Sequence, residues 1–203
     1  MKLDEVKKER IINASLKLFA SYGYKHTSTD LITKEAEISK GLLFHYFGTK
    51  KNLYFYLYDY ALNFILSEVS KNDYQELTDF FEIILTGIKL KWNVMKKYPY
   101  IYEFLLSAIK EKDEEIQKYV NSKHNIASDD SWESILSRVD KTKFKNADDI
   151  NKIVSLIRNY GNGLMKEFIR INDIKAKDIE KNTKEFTEII LMLKTNFYKE
   201  EYL

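Results

Sequence analysis

The sequence predicts an all-α protein: a small N-terminal tri-helical unit containing a helix-turn-helix, then a larger helical remainder. Three observations predict it. Six glycines and one proline in 203 residues leave too few turn-formers for a β architecture. Apolar residues recur at helical spacing along most of the chain. Between residues 27 and 50, hydroxyl residues and glycine punctuate the chain so closely that only two helices of about two turns fit.

The first helix is set by Ile11, Ile12, Ser15, Leu16, Leu18 and Phe19, which share one face at about 3.6 residues per turn, with Lys7, Arg10 and Lys17 elsewhere. Tyr22-Gly23-Tyr24 reads as its C-terminal stop. Thr27-Ser28-Thr29-Asp30 places a hydroxyl three residues before an acid, a capping-box-like start for a short helix from about Ser28 to Ala36. Glu37-Ile38 makes a tight turn, and Ser39 is placed to cap a second short helix from about Lys40 to Phe47. Gly48-Thr49 breaks the chain again, and Thr49 can cap a long helix from Lys50 to about Ser70. Helices this short cannot bury themselves alone, so the first and fourth must supply a floor. A crossed pair of short helices on such a floor is the helix-turn-helix architecture. The expected domains are residues 1–50, with the motif at 28–47, and residues 51–203.

Beyond residue 70 the pattern predicts amphipathic helices near 74–97, 99–110, 112–125, 129–138, 148–171 and 178–199. Pro99 ends one pattern and starts the next. Lys141 to Asp149 is the most polar stretch and is expected to be a loop. Ile150, Ile153, Val154, Ile157, Leu164 and Phe168 form one long stripe; Phe186, Ile189, Ile190, Leu193 and Phe197 form another.

The absence of cysteine excludes disulfides, thiolate catalysis and zinc-thiolate sites. Residues Met1 to Arg10 lack the apolar core of a signal peptide, and no stretch approaches the roughly 18 apolar residues of a membrane span, so the expected compartment is the cytoplasm. No Gly-rich phosphate loop, nucleophile motif or metal cluster is present, and His26, His45 and His124 have no catalytic spacing, which argues against an enzyme and against a bound metal. Residues 1–51 carry ten Lys and Arg against six Asp and Glu, while the rest carry 23 against 25. The positive excess therefore sits where a phosphate-binding module needs it.

Residues 10–53 resemble the DNA-binding domain of the TetR family of bacterial regulators. Arg10-Ile11-Ile12, Ala14, Leu18-Phe19 and Gly23-Tyr24 are similar to its first helix and following turn; Thr27-Ser28, Ile32 and Ala36 to its second helix. Ile38-Ser39-Lys40-Gly41, Leu43-Phe44-His45-Tyr46-Phe47, Lys50 and Leu53 are similar to the recognition helix and the entry to the fourth. The resemblance implies a two-domain, all-helical regulator that binds a palindromic double-stranded operator as a homodimer, most often represses, and releases DNA when a small molecule binds its C-terminal domain. It implies no cofactor other than that unidentified effector. The sequence departs from the family pattern at Glu37, where glycine is usual in the turn; a positive φ there would strain a non-glycine residue. Leu31, Thr33 and Leu42 also replace the family's frequent acid, alanine and Thr or Ser.

On the recognition helix, Leu43 and Phe47 are four apart and should face the core, leaving Lys40, Gly41, Leu42, His45 and Tyr46 outside that stripe and Phe44 at its edge. Gly41 allows close backbone approach to DNA. Lys40 can reach a guanine edge or a phosphate, and Leu42 a thymine methyl. Tyr46 and His45 suit phosphate contacts, as does Lys50 at the start of the fourth helix. Thr27, Ser28 and Thr29 offer hydroxyls at the second helix, where a plain N-cap is an equal reading. The two long stripes suggest a four-helix dimer interface over residues 148–171 and 178–199, where Gly161-Asn162-Gly163 would mark either close helix approach or a kink. Trp92, Tyr98, Tyr102, Phe104, Trp132, Tyr160 and Met165 are candidates for an effector pocket, with ordinary core packing as the competing reading. The alternatives to a ligand-released repressor are a regulator without a ligand and a helical protein-interaction module.

Overall fold

The computed structural model describes residues 5–71, 73–170 and 176–203. Among these the regular elements are nine α-helices: α1 Glu5–His26, α2 Thr29–Glu35, α3 Lys40–Phe47, α4 Lys50–Ser70, α5 Phe80–Lys97, α6 Pro99–Lys110, α7 Glu114–Arg138, α8 Ile150–Arg170 and α9 Ala176–Phe197, with four short 3-10 turns. Ile171 and the side chain of Phe168, both within the expected dimer segment, lie outside the described residues.

The chain packs as two compact units. One contains the chain up to Glu68 together with Asn93–Asp129; the other contains Val69–Trp92 and Asp130–Leu203. The unit holding the helix-turn-helix thus extends well past residue 50, because its core needs α6 and the first half of α7. Phe19, Tyr54 and Phe104 are fully buried there, with ring centroids 4.9 Å (Phe19–Tyr54) and 5.1 Å (Tyr54–Phe104) apart in edge-on contacts. Leu53, Leu57, Tyr58 and Ala61 of α4 line the same core. The Ser107 hydroxyl donates to the Phe19 carbonyl at 3.2 Å, tying α6 to α1.

In the other unit Phe80, Phe81, Phe144 and Tyr198 form a buried aromatic cluster with Ile153, Ile157 and Ile190. Asp79, itself buried, organises one end of it. Its carboxylate accepts from the Glu82 N–H (3.0 Å), the Tyr198 hydroxyl (3.3 Å) and the Lys143 ammonium (2.9 Å). The first of these bonds caps α5 and explains why that helix starts at Phe80 rather than near 74.

Three other boundaries differ from the sequence reading. Residues 112–125 and 129–138 are one helix, α7: Ser128-Asp129-Asp130-Ser131 is polar, but nothing in it removes an N–H or demands a non-helical backbone. The polar stretch Lys141 to Asp149 holds two single 3-10 turns, and within it Phe144 pairs with Tyr198 in an isolated bridge. α8 runs unbroken through Gly161 and Gly163, where a Cβ would meet nothing within 4 Å among the described residues, so the kink reading does not hold. No helix among the described residues is long and apolar enough to cross a membrane.

Candidate nucleic-acid interface

The two short helices exist because side chains take up their first free amides. Ser28 Oγ accepts from the Leu31 N–H at 3.1 Å, and Ser39 Oγ from the Leu42 N–H at 3.2 Å. Thr49 Oγ1 does the same for Asn52 at 3.0 Å at the start of α4. α2 then closes with a Schellman motif. The Glu37 N–H bonds to the Lys34 carbonyl at 3.2 Å and the Ile38 N–H to the Thr33 carbonyl at 3.0 Å. That motif needs a left-handed residue after the C-cap, and Glu37 takes φ 52°. The Arg10 guanidinium holds it there, reaching the Glu37 carboxylate at 2.8 Å and its backbone carbonyl at 3.4 Å.

α3 sits on this frame by one side chain above all: Leu43 is only 2% exposed. Phe47 is half-buried, 5.3 Å from the Tyr56 ring. The opposite face is open. Lys40, Gly41, Phe44 and His45 are exposed, and Leu42 and Tyr46 are half-buried beside them. His45 and Tyr46 meet edge-on at 5.0 Å. A Cβ on Gly41 would meet nothing within 4 Å, so its backbone is clear for an external partner. On α2, Ser28 and Leu31 are exposed and Thr29 is half-buried.

Two of the candidate contacts are committed elsewhere. Thr27 is fully buried, and its hydroxyl donates to the carbonyls of Gly23 (2.8 Å) and Leu18 (3.1 Å). It holds the α1–α2 turn, as expected where Gly23 (φ 71°) leaves the helical path and frees carbonyls. Lys50 points the same way. Its ammonium donates to the Tyr24 carbonyl at 2.8 Å and the Thr27 carbonyl at 3.0 Å, and lies 4.1 Å from the Tyr24 ring centre. Burial pulls its pKa down, with Glu111 opposing. A cation there neutralises the negative end of α1 instead of facing a phosphate.

Ion pairs invisible in the sequence brace the motif. Lys17 joins α1 to Glu35 on α2 at 2.6 Å, and Lys40 meets Asp30 at 2.8 Å. The charge excess of the N-terminal segment is therefore partly spent internally, and Lys40 must leave Asp30 to meet DNA. Arg10, Glu37 and Asp30 were not among the candidate residues; their partners lie too far along the chain for spacing to suggest them.

The candidate pocket residues are divided between the two packing units. Tyr98, Tyr102 and Phe104 belong to the first packing unit, and Trp92, Trp132, Tyr160 and Met165 to the second. Phe104 is core among Phe19 and Tyr54, and Trp132 packs on the core of its unit. Tyr160 stacks on Phe186 at 5.5 Å and donates its hydroxyl to Glu185 at 2.6 Å. Among the described residues, no group of three or more His, Asp or Glu side chains is placed to hold a metal ion.

Residues 11–57 match the family model described as bacterial regulatory proteins, tetR family. The chain is 34% identical over 135 residues to the uncharacterized HTH-type transcriptional regulator YuxN of Bacillus subtilis (strain 168), covering 59% of this chain and 45% of that one. It is 34% identical over 71 residues to the biofilm operon icaADBC HTH-type negative transcriptional regulator IcaR of Staphylococcus aureus, covering 33% and 38%. The chain thus spans less than half the length of these curated relatives. Among solved structures, the regulator FadR of Bacillus subtilis in complex with stearoyl-CoA superposes with a TM-score of 0.69, covering 90% of this chain and 97% of that one at 17% identity. At that identity the likeness is one of fold.

Proposed function

Because this chain belongs, through residues 11–57, to the TetR family of bacterial regulatory proteins, we propose that it is a sequence-specific DNA-binding transcriptional regulator whose α3 enters the major groove. The family is non-enzymatic, and the activity proposed is binding. The observation that carries the reading is α3 itself: a helix fixed through Leu43 that leaves Lys40, Gly41, Leu42, Phe44, His45 and Tyr46 facing outward. Lys40 and Leu42 read bases, a guanine edge and a thymine methyl. Tyr46, His45, Ser28 and Thr29 hold phosphates and fix register. The test is selection of fragments from a random DNA pool. Lys40→Ala or Leu42→Ala should change the preferred sequence, whereas Tyr46→Phe should weaken all sequences alike. If the first two change only overall affinity, the reading face is misassigned.

DNA binding is proposed for residues 1–50, with regulation and dimerisation in 51–203. A homodimer through α8 and α9 is supported by a face the sequence stripes did not mark. Ile150, Ile153, Val154 and Ile157 are buried in their own unit's core, as are Ile190 and Leu193. Leu156 (55% exposed), Leu191 (46%) and Met192 (56%) remain outside it. Gly163, seven residues after Leu156, is exposed and a Cβ there would meet nothing within 4 Å among the described residues, which lets a second helix approach closely. Repression relieved by a small molecule is the finer part of the proposal. IcaR's name gives it a negative role, and the FadR structure holds stearoyl-CoA. Stearoyl-CoA is the first compound to test for release of the selected DNA.

A further inference from the structure

A cavity of about 610 Å³ opens between α1, the end of α2 and the α5–α6 joint, within the unit that holds the helix-turn-helix. That is room for a small organic molecule. Its charged wall is one-sided: Arg10, Lys17 and Lys97 against the single carboxylate of Glu35. α6 also begins here, with Pro99 in its first turn, no side chain capping it and no acid in that turn. Pro99 has no N–H and the Ile101 N–H bonds to the Tyr98 carbonyl at 3.2 Å, so α6 adds chiefly the positive end of its dipole at the same place. The Arg10 Nε–H is buried and has no hydrogen-bond partner among the described residues. Apart from Asn13 the remaining wall is apolar or aromatic, with Tyr98, Pro99, Tyr100 and Ile101 on the α6 side.

We propose that this cavity binds a small organic anion with a flat apolar body, and that its occupation competes for the cations that brace the helix-turn-helix. The cations on the wall are the ones that hold the motif. Arg10 fixes the left-handed Glu37, and Lys17 fixes Glu35 at the end of α2. An anion drawing on Arg10 and Lys17 loosens the α2–α3 turn, so anion and DNA oppose each other by the same factor. That last step rests on the DNA-binding reading; the site itself does not.

The experiment is a fluorescence titration of the full chain with anilinonaphthalene sulfonate, without DNA. Saturable one-to-one binding is expected, weakened about tenfold by Lys97→Ala, the scale of one charge-assisted contact. Tyr100→Ala should weaken it too, and Lys152→Ala on α8 should not. Phenylnaphthylamine, which lacks the sulfonate, should bind about tenfold more weakly on the same scale. Equal binding of the two probes, or affinity indifferent to both Lys97→Ala and Tyr100→Ala, overturns the site. Hydrogen exchange at the Glu37 and Ile38 amides should accelerate when the probe is bound; unchanged exchange overturns the competition. Failure to select any DNA in the absence of probe, with the titration intact, counts against the DNA reading and not against the site.

Discussion

Replacing Glu37 by glycine and, separately, by alanine isolates the cost of the left-handed backbone between α2 and α3. Both variants lose the carboxylate contact with Arg10, a pair whose side chains are 39% and 78% exposed and which contributes about 0.2–1 kcal/mol, and both keep the backbone carbonyl that Arg10 also reaches. Only glycine also removes the Cβ, which at φ 52° is strained by about 1–2 kcal/mol. The extra backbone freedom of glycine in the unfolded chain takes back about 0.5–1 kcal/mol. Glu37→Gly is therefore expected to be about 1 kcal/mol more stable than Glu37→Ala, and close to the parent protein. The measurement is the urea midpoint at unchanged m, supported by a melting difference of about 2–4 °C for a chain of this size. If alanine equals or exceeds glycine, the Schellman geometry at this turn is wrong, and with it the reason for Arg10.

Lys50→Ala should weaken DNA binding at every salt concentration without changing the salt slope, because the lysine secures the α1–α2 turn; a slope shallower by about 0.9 would return it to a phosphate. Asp79→Asn should cost about 2–4 kcal/mol by leaving Lys143 without its buried partner. Burial raises the pKa of Asp79, but the Glu82 N–H and Lys143 outweigh it and hold the carboxyl below its ordinary value. Its stabilisation is therefore complete above about pH 4 and fades as pH falls further, so acid titration of the urea midpoint should be flatter in Asp79→Asn than in the parent. Leu191→Glu combined with Met192→Glu should give a folded monomer at micromolar concentration by sedimentation; an unchanged mass would remove α9 from the proposed interface.

Local chemistry made the helix-turn-helix legible in the sequence. Ser28, Ser39 and Thr49 each act on an amide three residues ahead, so their spacing alone announces where α2, α3 and α4 begin. Leu43 on the core side of α3 follows from the helical period in the same way. Which polar groups are free was decided only by the tertiary structure. Lys50 and Thr27 look alike in sequence to phosphate donors, but their partners lie 23 and 26 residues away for the lysine and 4 and 9 for the threonine, on a turn whose carbonyls had to be satisfied. Periodicity finds an apolar stripe but not what covers it, so Ile150, Ile153, Val154 and Ile157 of the α8 stripe proved to be their own unit's core, with Leu156 left outside. Glu37 joins the two levels: the sequence marked it as a departure from glycine, and the fold supplied Arg10, 27 residues away, to hold it.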